Sequence, residues 1–274
     1  MKRLSVSTVI GLGIGVMCVV MGIATSGNFR SFYNLPSLFI IVGGTVGAVI
    51  TSFPPKQLKM FVPVFLKGFR RQKADFGKDI QTIVRISTYA RKKGTLALED
   101  IAEEYKDDHF LYKGLLLIAD GVGRETLIGN LKDEIYYMKK RHQSGYAMMD
   151  MVADSVTSLG LMGTYVGLIP MLQHLEDPAS LGPLMAVELV SSFYGAFLSY
   201  VIFGPVAHRL RMMTADEVLR DTILLEGLAA VQEGQNPREI EERLMSALTM
   251  KQTRRMGSRK RGKDPIQVDF KESA

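Results

Sequence analysis

Thr157, Thr164, Glu188 and Ser192 place oxygen atoms inside two otherwise apolar stretches. Hydroxyl and carboxylate oxygens suit a hard cation, and an ionisable group at membrane depth marks a functional position because burying its charge in hydrocarbon is costly. Glu188 lies four residues before Ser192, which on a helix puts the two on one face. Two chemistries are open to such a set: guiding a cation across a bilayer, or bridging helices by hydrogen bonds.

The elements that must carry these residues are Val156–Leu175 and Leu184–Ala207, joined by a turn-rich stretch with Asp177, Pro178, Gly182 and Pro183. Each is about the 20 residues a helix needs to cross a bilayer, so the pair reads as a helical hairpin. Residues 4–29 form an uncharged apolar run after Lys2 and Arg3. It is longer than a signal-peptide core and lacks a small-residue cleavage pattern, so it reads as a retained first span. Gly11, Gly13 and Gly15 have neither the preceding strand nor the following GK[ST] of a phosphate loop, which leaves close helix packing as their role. After Arg30, Ser31–Pro55 is a second span whose Gly43, Gly44, Gly47 and Ala48 share a face and predict tight packing. Pro54 and Pro55 end it.

Lys56, Lys59, Lys67, Arg70, Arg71 and Lys73 crowd the exit of span two, and Arg209 and Arg211 follow span four. The opposite connections hold only Arg30, so the positive-inside rule places both termini and the large loop in the cytoplasm of a multi-pass membrane protein. The chain divides into 1–55 (spans one and two), 56–150 (a helical cytoplasmic loop), 151–209 (spans three and four) and 210–274 (cytoplasmic helices and a basic tail). The fold class is all-α, polytopic, with four transmembrane helices. In the loop, Ile80–Lys93, Thr95–Glu104, Phe110–Ile118 and Glu125–Arg141 have helical spacing, punctuated by Gly94, Gly121, Gly123 and Gly145. Met213–Val231 and Pro237–Leu248 continue as helices. The cluster Lys251–Lys263 is a solvated tail or a contact for anionic lipid.

The 274 residues are 47% hydrophobic and 23% charged, with a net charge of +6. No zinc pattern or nucleic-acid motif accompanies that charge, so nucleic acid is not an expected partner. Cys18 alone excludes an intrachain disulfide. His109, His142, His174 and His208 lack metal-ligand spacing, and there is no nucleophile elbow or acid-base pair. The chain reads as neither an enzyme nor a cofactor or metal binder.

RKKGTLALED at Arg91–Asp100, LGLMGTYVGLIPML at Leu159–Leu172, DPASLGPLMA at Asp177–Ala186, FYG at Phe193–Gly195 and GP at Gly204–Pro205, in this order on four spans, resemble the flagellar stator A subunit, the MotA/PomA family. The resemblance implies a channel in the bacterial cytoplasmic membrane, with five A subunits around two MotB/PomB-like B subunits that supply the ion-binding aspartate. It also implies contact with the rotor protein FliG and conversion of ion-motive force into torque. By this resemblance Arg91 and Glu99 form the rotor interface, eight residues apart and on one surface if the helix continues through Gly94. Pro205 matches the span-four proline and becomes a coupling hinge, while Thr157 replaces the span-three proline. Thr164 falls where sodium-driven members carry threonine and Ser192 matches a span-four threonine, which favours sodium over the proton as the transported cation. Glu188, where the family is not expected to carry a carboxylate, attracts a cation at the pore mouth or pairs with a neighbouring subunit. The rival readings are an ExbB/TolQ-like energy-transducing subunit, which usually has three spans, and a non-conducting membrane scaffold.

Overall fold

A computed structural model describes residues 5–25, 27, 29–70, 75–176 and 178–248. Lys2, Arg3, Arg71, Lys73, Asp177 and the basic cluster Lys251–Lys263 lie outside the described residues. The helices are α1 (Val6–Thr25), α2 (Leu35–Leu38), α3 (Gly44–Ser52), α4 (Pro55–Leu58), α5 (Phe61–Lys67), α6 (Phe76–Lys93), α7 (Leu98–Ala102), α8 (His109–Ala119), α9 (Arg124–Gln173), α10 (Pro178–Ala196), α11 (Gly204–Gln232) and α12 (Pro237–Met245). The described residues contain no strand. Four of the helical stretches are long and apolar enough to span a membrane: Val6–Thr25, Leu35–Ser52, and segments within Arg124–Gln173 and Leu181–Gln232. The all-α, four-span expectation is what the chain adopts.

The chain forms two compact units, Met1–Gln72 with Lys140–Thr214, and Lys73–Lys139 with Ala215–Ala274. In the first, α1 buries none of its residues, as a helix does when lipid is its solvent. Span two begins at Asn34, whose side chain accepts from the Ser37 amide at 3.0 Å, with Pro36 in the first turn. It runs through a π turn at Phe39–Gly43 into α3 and stops where Phe53 turns extended before Pro54. Of the glycines expected to pack tightly there, Gly44 does so, against Leu159. Gly43 and Gly47 meet nothing within 4 Å.

Span four also contains a π turn, Phe197–Phe203, and its cause is legible in the next residues. Pro205 has no amide hydrogen and its ring clashes with the carbonyl four residues back, so the preceding turn widens. The Gly204 amide donates five residues back to the Ser199 carbonyl, an oxygen that a Cβ at 204 would approach to 2.9 Å. The helix then continues as α11, so Gly204–Pro205 widens the helix and does not terminate it.

Two further boundaries differ from the sequence expectation. Gly145 does not interrupt α9, which runs 50 residues from Arg124 to Gln173. Likewise no break follows Ala207, and α11 carries span four on into the stretch expected as the separate helix Met213–Val231. Neither place has a left-handed glycine or an extended residue to stop the hydrogen-bond ladder.

The second unit packs around Ile80, Ile83, Leu98, Leu115, Leu127 and Leu224. Asp75 caps α6 through the Lys78 amide, and Asp108 caps α8 through the Leu111 amide. Beside this core one cation serves three carboxylates: Arg220 contacts Asp79 at 3.3 Å, Asp221 at 3.4 Å, and Asp108. Burial raises the Asp221 carboxyl to about 7 despite Arg220, with Glu217, Asp108 and Glu134 adding to the rise.

Candidate functional site

The membrane half of α9 carries Gly160, Gly163 and Gly167, three and four residues apart and therefore on one face. This face lies against α10. A Cβ on Gly160 would come 3.0 Å from the Gly195 Cα, one on Gly163 2.4 Å from the Ser191 Oγ, and one on Gly167 2.8 Å from the Glu188 amide nitrogen. A Cβ on Gly195 would come 2.7 Å from the Val156 carbonyl oxygen. Helices gain little from the hydrophobic effect inside lipid, so close backbone approach through small residues is what binds them. The sequence reading missed this seam, although the spacing rule applied to span two was available for Gly160–Gly167.

The seam fixes the height of the oxygen-bearing residues. Gly163 against Ser191 and Gly167 against Glu188 bring Thr164, Ser192 and Glu188 within about one helical turn of one another along the hairpin. Thr157 lies seven residues before Thr164, about 10 Å along the helix at 1.5 Å per residue, and is not part of that group. Thr164 donates its hydroxyl hydrogen to the Leu161 carbonyl at 2.6 Å, which leaves the Oγ1 lone pairs free to accept or to ligate. Thr157 bonds the Ala153 carbonyl at 3.0 Å, the back-bond by which a threonine bends a helix in place of a proline. Ser192 is exposed and Glu188 half-buried.

Two buried hydroxyls were also missed. Ser191 is fully buried and makes no hydrogen bond, and the Thr45 hydroxyl is likewise unsatisfied. A membrane serine ordinarily bonds the carbonyl four residues back; for Ser191 that oxygen, on Val187, already accepts from Ser37 at 3.2 Å.

Arg91 and Glu99 do not share a helix. Gly94 adopts φ 87, a left-handed conformation that favours glycine, and closes α6. Arg91 lies in the last turn of α6 and Glu99 in the first turn of α7, both exposed. Each charge suits its helix end, cation at the C-terminus and anion at the N-terminus. Pro205 sits in the first turn of α11, directly after the π turn.

Residues 102–222 match the model of the MotA/TolQ/ExbB proton channel family. The chain is 40% identical to the uncharacterized protein YtxD of Bacillus subtilis (strain 168), over 89% of this chain and 91% of that protein. It is 35% identical to Motility protein A of Cereibacter sphaeroides, over 91% of this chain and 97% of that protein. The solved structure of the flagellar MotAB stator complex from Bacillus subtilis is similar with a TM-score of 0.83 at 30% identity, covering 90% of this chain and 97% of the matched chain. With four spans, a glycine-sealed hairpin and similarity along nearly its whole length, this chain belongs to the motility protein A branch of the MotA/TolQ/ExbB family, whose members are membrane channel subunits and not enzymes.

Proposed function

We propose that this chain is the A subunit of a flagellar stator in the bacterial cytoplasmic membrane, with both termini cytoplasmic. Five copies surround two MotB-like B subunits, and cation flow between them drives torque on FliG. The observation that carries this reading is the extent of the similarity. The family model alone includes TolQ and ExbB, whereas 97% of Motility protein A of Cereibacter sphaeroides is covered by this chain. Soft-agar swimming of a stator-null strain tests it: the chain and its B subunit together restore motility, and restoration of TolQ- or ExbB-type envelope functions without motility would replace the proposal.

Along the proposed path, Thr164, Ser192 and Glu188 handle the cation and Thr157 shapes span three below them. The Thr164 oxygen, its hydrogen committed to Leu161, has the character of a ligand for a hard cation, which favours sodium. Thr164→Ala is expected to cut sodium-dependent rotation about tenfold, equivalent to roughly 1.4 kcal/mol of lost coordination. Glu188→Gln is expected to change cation dependence while leaving assembly intact. Unchanged sodium titrations of rotation speed in both variants would return these residues to helix packing.

Arg91 and Glu99 are proposed to meet opposite charges on FliG. Reversal of either is expected to abolish most torque without altering membrane abundance, and reversed charges on FliG to restore it, since rim charges chiefly set specificity and encounter. Normal torque in both single reversals would exclude the interface. At Pro205 the widened turn makes a hinge. Pro205→Ala allows a regular α-helical turn and is expected to lower torque several-fold more than it lowers abundance, as read by bead rotation and immunoblot.

A further inference from the structure

Between the first half of α1 and the π turn of span four lies a cavity of ≈330 Å³. Ser7, Thr8, Gly11 and Gly15 form one wall, and Tyr200 and Pro205 stand opposite. Gly15 nears Val201, where a Cβ would come to 3.4 Å, but a Cβ on Gly11 would meet nothing within 4 Å, so the space at Gly11 is open. Tyr200 is 72% exposed. We propose that this cavity is a binding site for one acyl chain of an anionic phospholipid.

The occupant follows from the surroundings. Both walls belong to membrane-spanning helices, so the cavity lies at membrane depth. A groove left empty there forfeits dispersion contacts along its whole lining, and an acyl chain restores them. Of the polar side chains in the lining, Ser7 and Thr8 stand together in the first turn of α1, and Tyr200 is on span four. A basic residue lies near that first turn: Arg70 follows Phe69, itself a lining residue, and the Phe69 carbonyl accepts from the Ser5 amide just before α1. Basic pockets between membrane helices on the cytoplasmic side recognise anionic headgroups. A chain seated in the cavity lies against Pro205, the residue that widens span four, so lipid composition acts on that bend directly.

The test uses the full chain with its B subunit, reconstituted into vesicles of phosphatidylethanolamine and phosphatidylglycerol that contain phosphatidylglycerol with a diazirine in one acyl chain. After photolysis, adducts mapped by peptide mass spectrometry are expected to concentrate on residues 6–15 and 200–206. Gly11→Phe, or the smaller filler Gly11→Met, removes them. Gly13→Phe, two residues on and so on another side of α1, leaves them in place. Arg70→Gln lowers labelling by phosphatidylglycerol roughly fivefold relative to a phosphatidylcholine probe, the loss expected for one basic residue near an anionic headgroup, about 1 kcal/mol. Adducts spread evenly over all exposed spans and unchanged by Gly11→Phe would overturn the site. So would an unlabelled cavity whose Gly11 position, as Gly11→Cys, forms disulfide-linked dimers, because a second copy then covers it. Neither readout depends on motility, so the lipid site can fail while the stator reading stands.

Discussion

Gly195→Leu is expected to abolish motility and to lower the amount of assembled complex. The first atom of the new side chain would lie 2.7 Å from the Val156 carbonyl oxygen and 3.0 Å from the Gly160 Cα. Both obstacles are backbone, so α9 and α10 must separate. Overpacking a filled interior typically costs about 1–3 kcal/mol, and here the parting also moves Thr164 away from Ser192 and Glu188, whose heights along the hairpin the seam sets. Gly47→Leu is the matched control, because nothing lies within 4 Å of a Cβ at that position. Thermal melting of the purified complex and swimming should both fail in the first variant, and melting should hold in the second. A Gly195→Leu protein that melts and swims normally would show that the seam is not required.

Removing the shared cation of the cytoplasmic unit is expected to have the other large effect. Arg220→Met strands Asp79, Asp108 and Asp221; Arg220, Asp79 and Asp108 are half-buried, so solvent screening brings the loss below that of a fully buried network, to about 2 kcal/mol. For a unit of this size that corresponds to a fall in Tm of several degrees. The pH dependence has a definite sign. Asp221 titrates near 7 when folded, above its ordinary value of 3.8. A raised carboxyl contributes stability that is fully present below the unfolded value and is lost as pH rises through about 7. Asp79 is also raised, by burial first. Asp221→Asn should therefore flatten the loss of melting temperature between about pH 4 and 7, and it should be at least as stable as the parent protein at the upper end. A steeper decline in this variant would contradict the assignment.

How much of this was legible follows from what each signal encodes. Apolar runs of bilayer length are set by solvation of the backbone, a constraint so strong that all four spans could be read directly. Helix ends were harder. Gly94 ends α6 after three basic residues, a stop signal that was present, yet Gly129 and Gly145 are carried inside α9. A glycine permits a break but does not demand one, and no left-handed turn forms at either place. The π turn of span four had its signal in Gly204–Pro205, whereas nothing comparable precedes the turn at Phe39–Gly43.

At the site, residue types were legible and partners were not. Periodicity says which residues share a face and is silent about which helix covers that face. That is why close packing was assigned to Gly43, Gly44, Gly47 and Ala48, of which Gly44 meets Leu159 while Gly43 and Gly47 meet nothing, and not to Gly160, Gly163 and Gly167, which meet α10 backbone or side chain. The same limit separated Ser192, singled out by its match to a span-four threonine, from its buried neighbour Ser191. A shared helical face for Arg91 and Glu99 required the helix to continue through Gly94, and the turn at Gly94 divides them.

The most direct test is the torque of a tethered stator-null cell that expresses this chain with its B subunit, recorded while external sodium is varied at constant proton-motive force. The account predicts rotation that rises with sodium, stops when sodium is removed and is weakened by Thr164→Ala. Rotation that follows the proton gradient and ignores sodium would contradict the ion assignment, and absence of rotation under every gradient, with the complex present in the membrane, would contradict the stator itself.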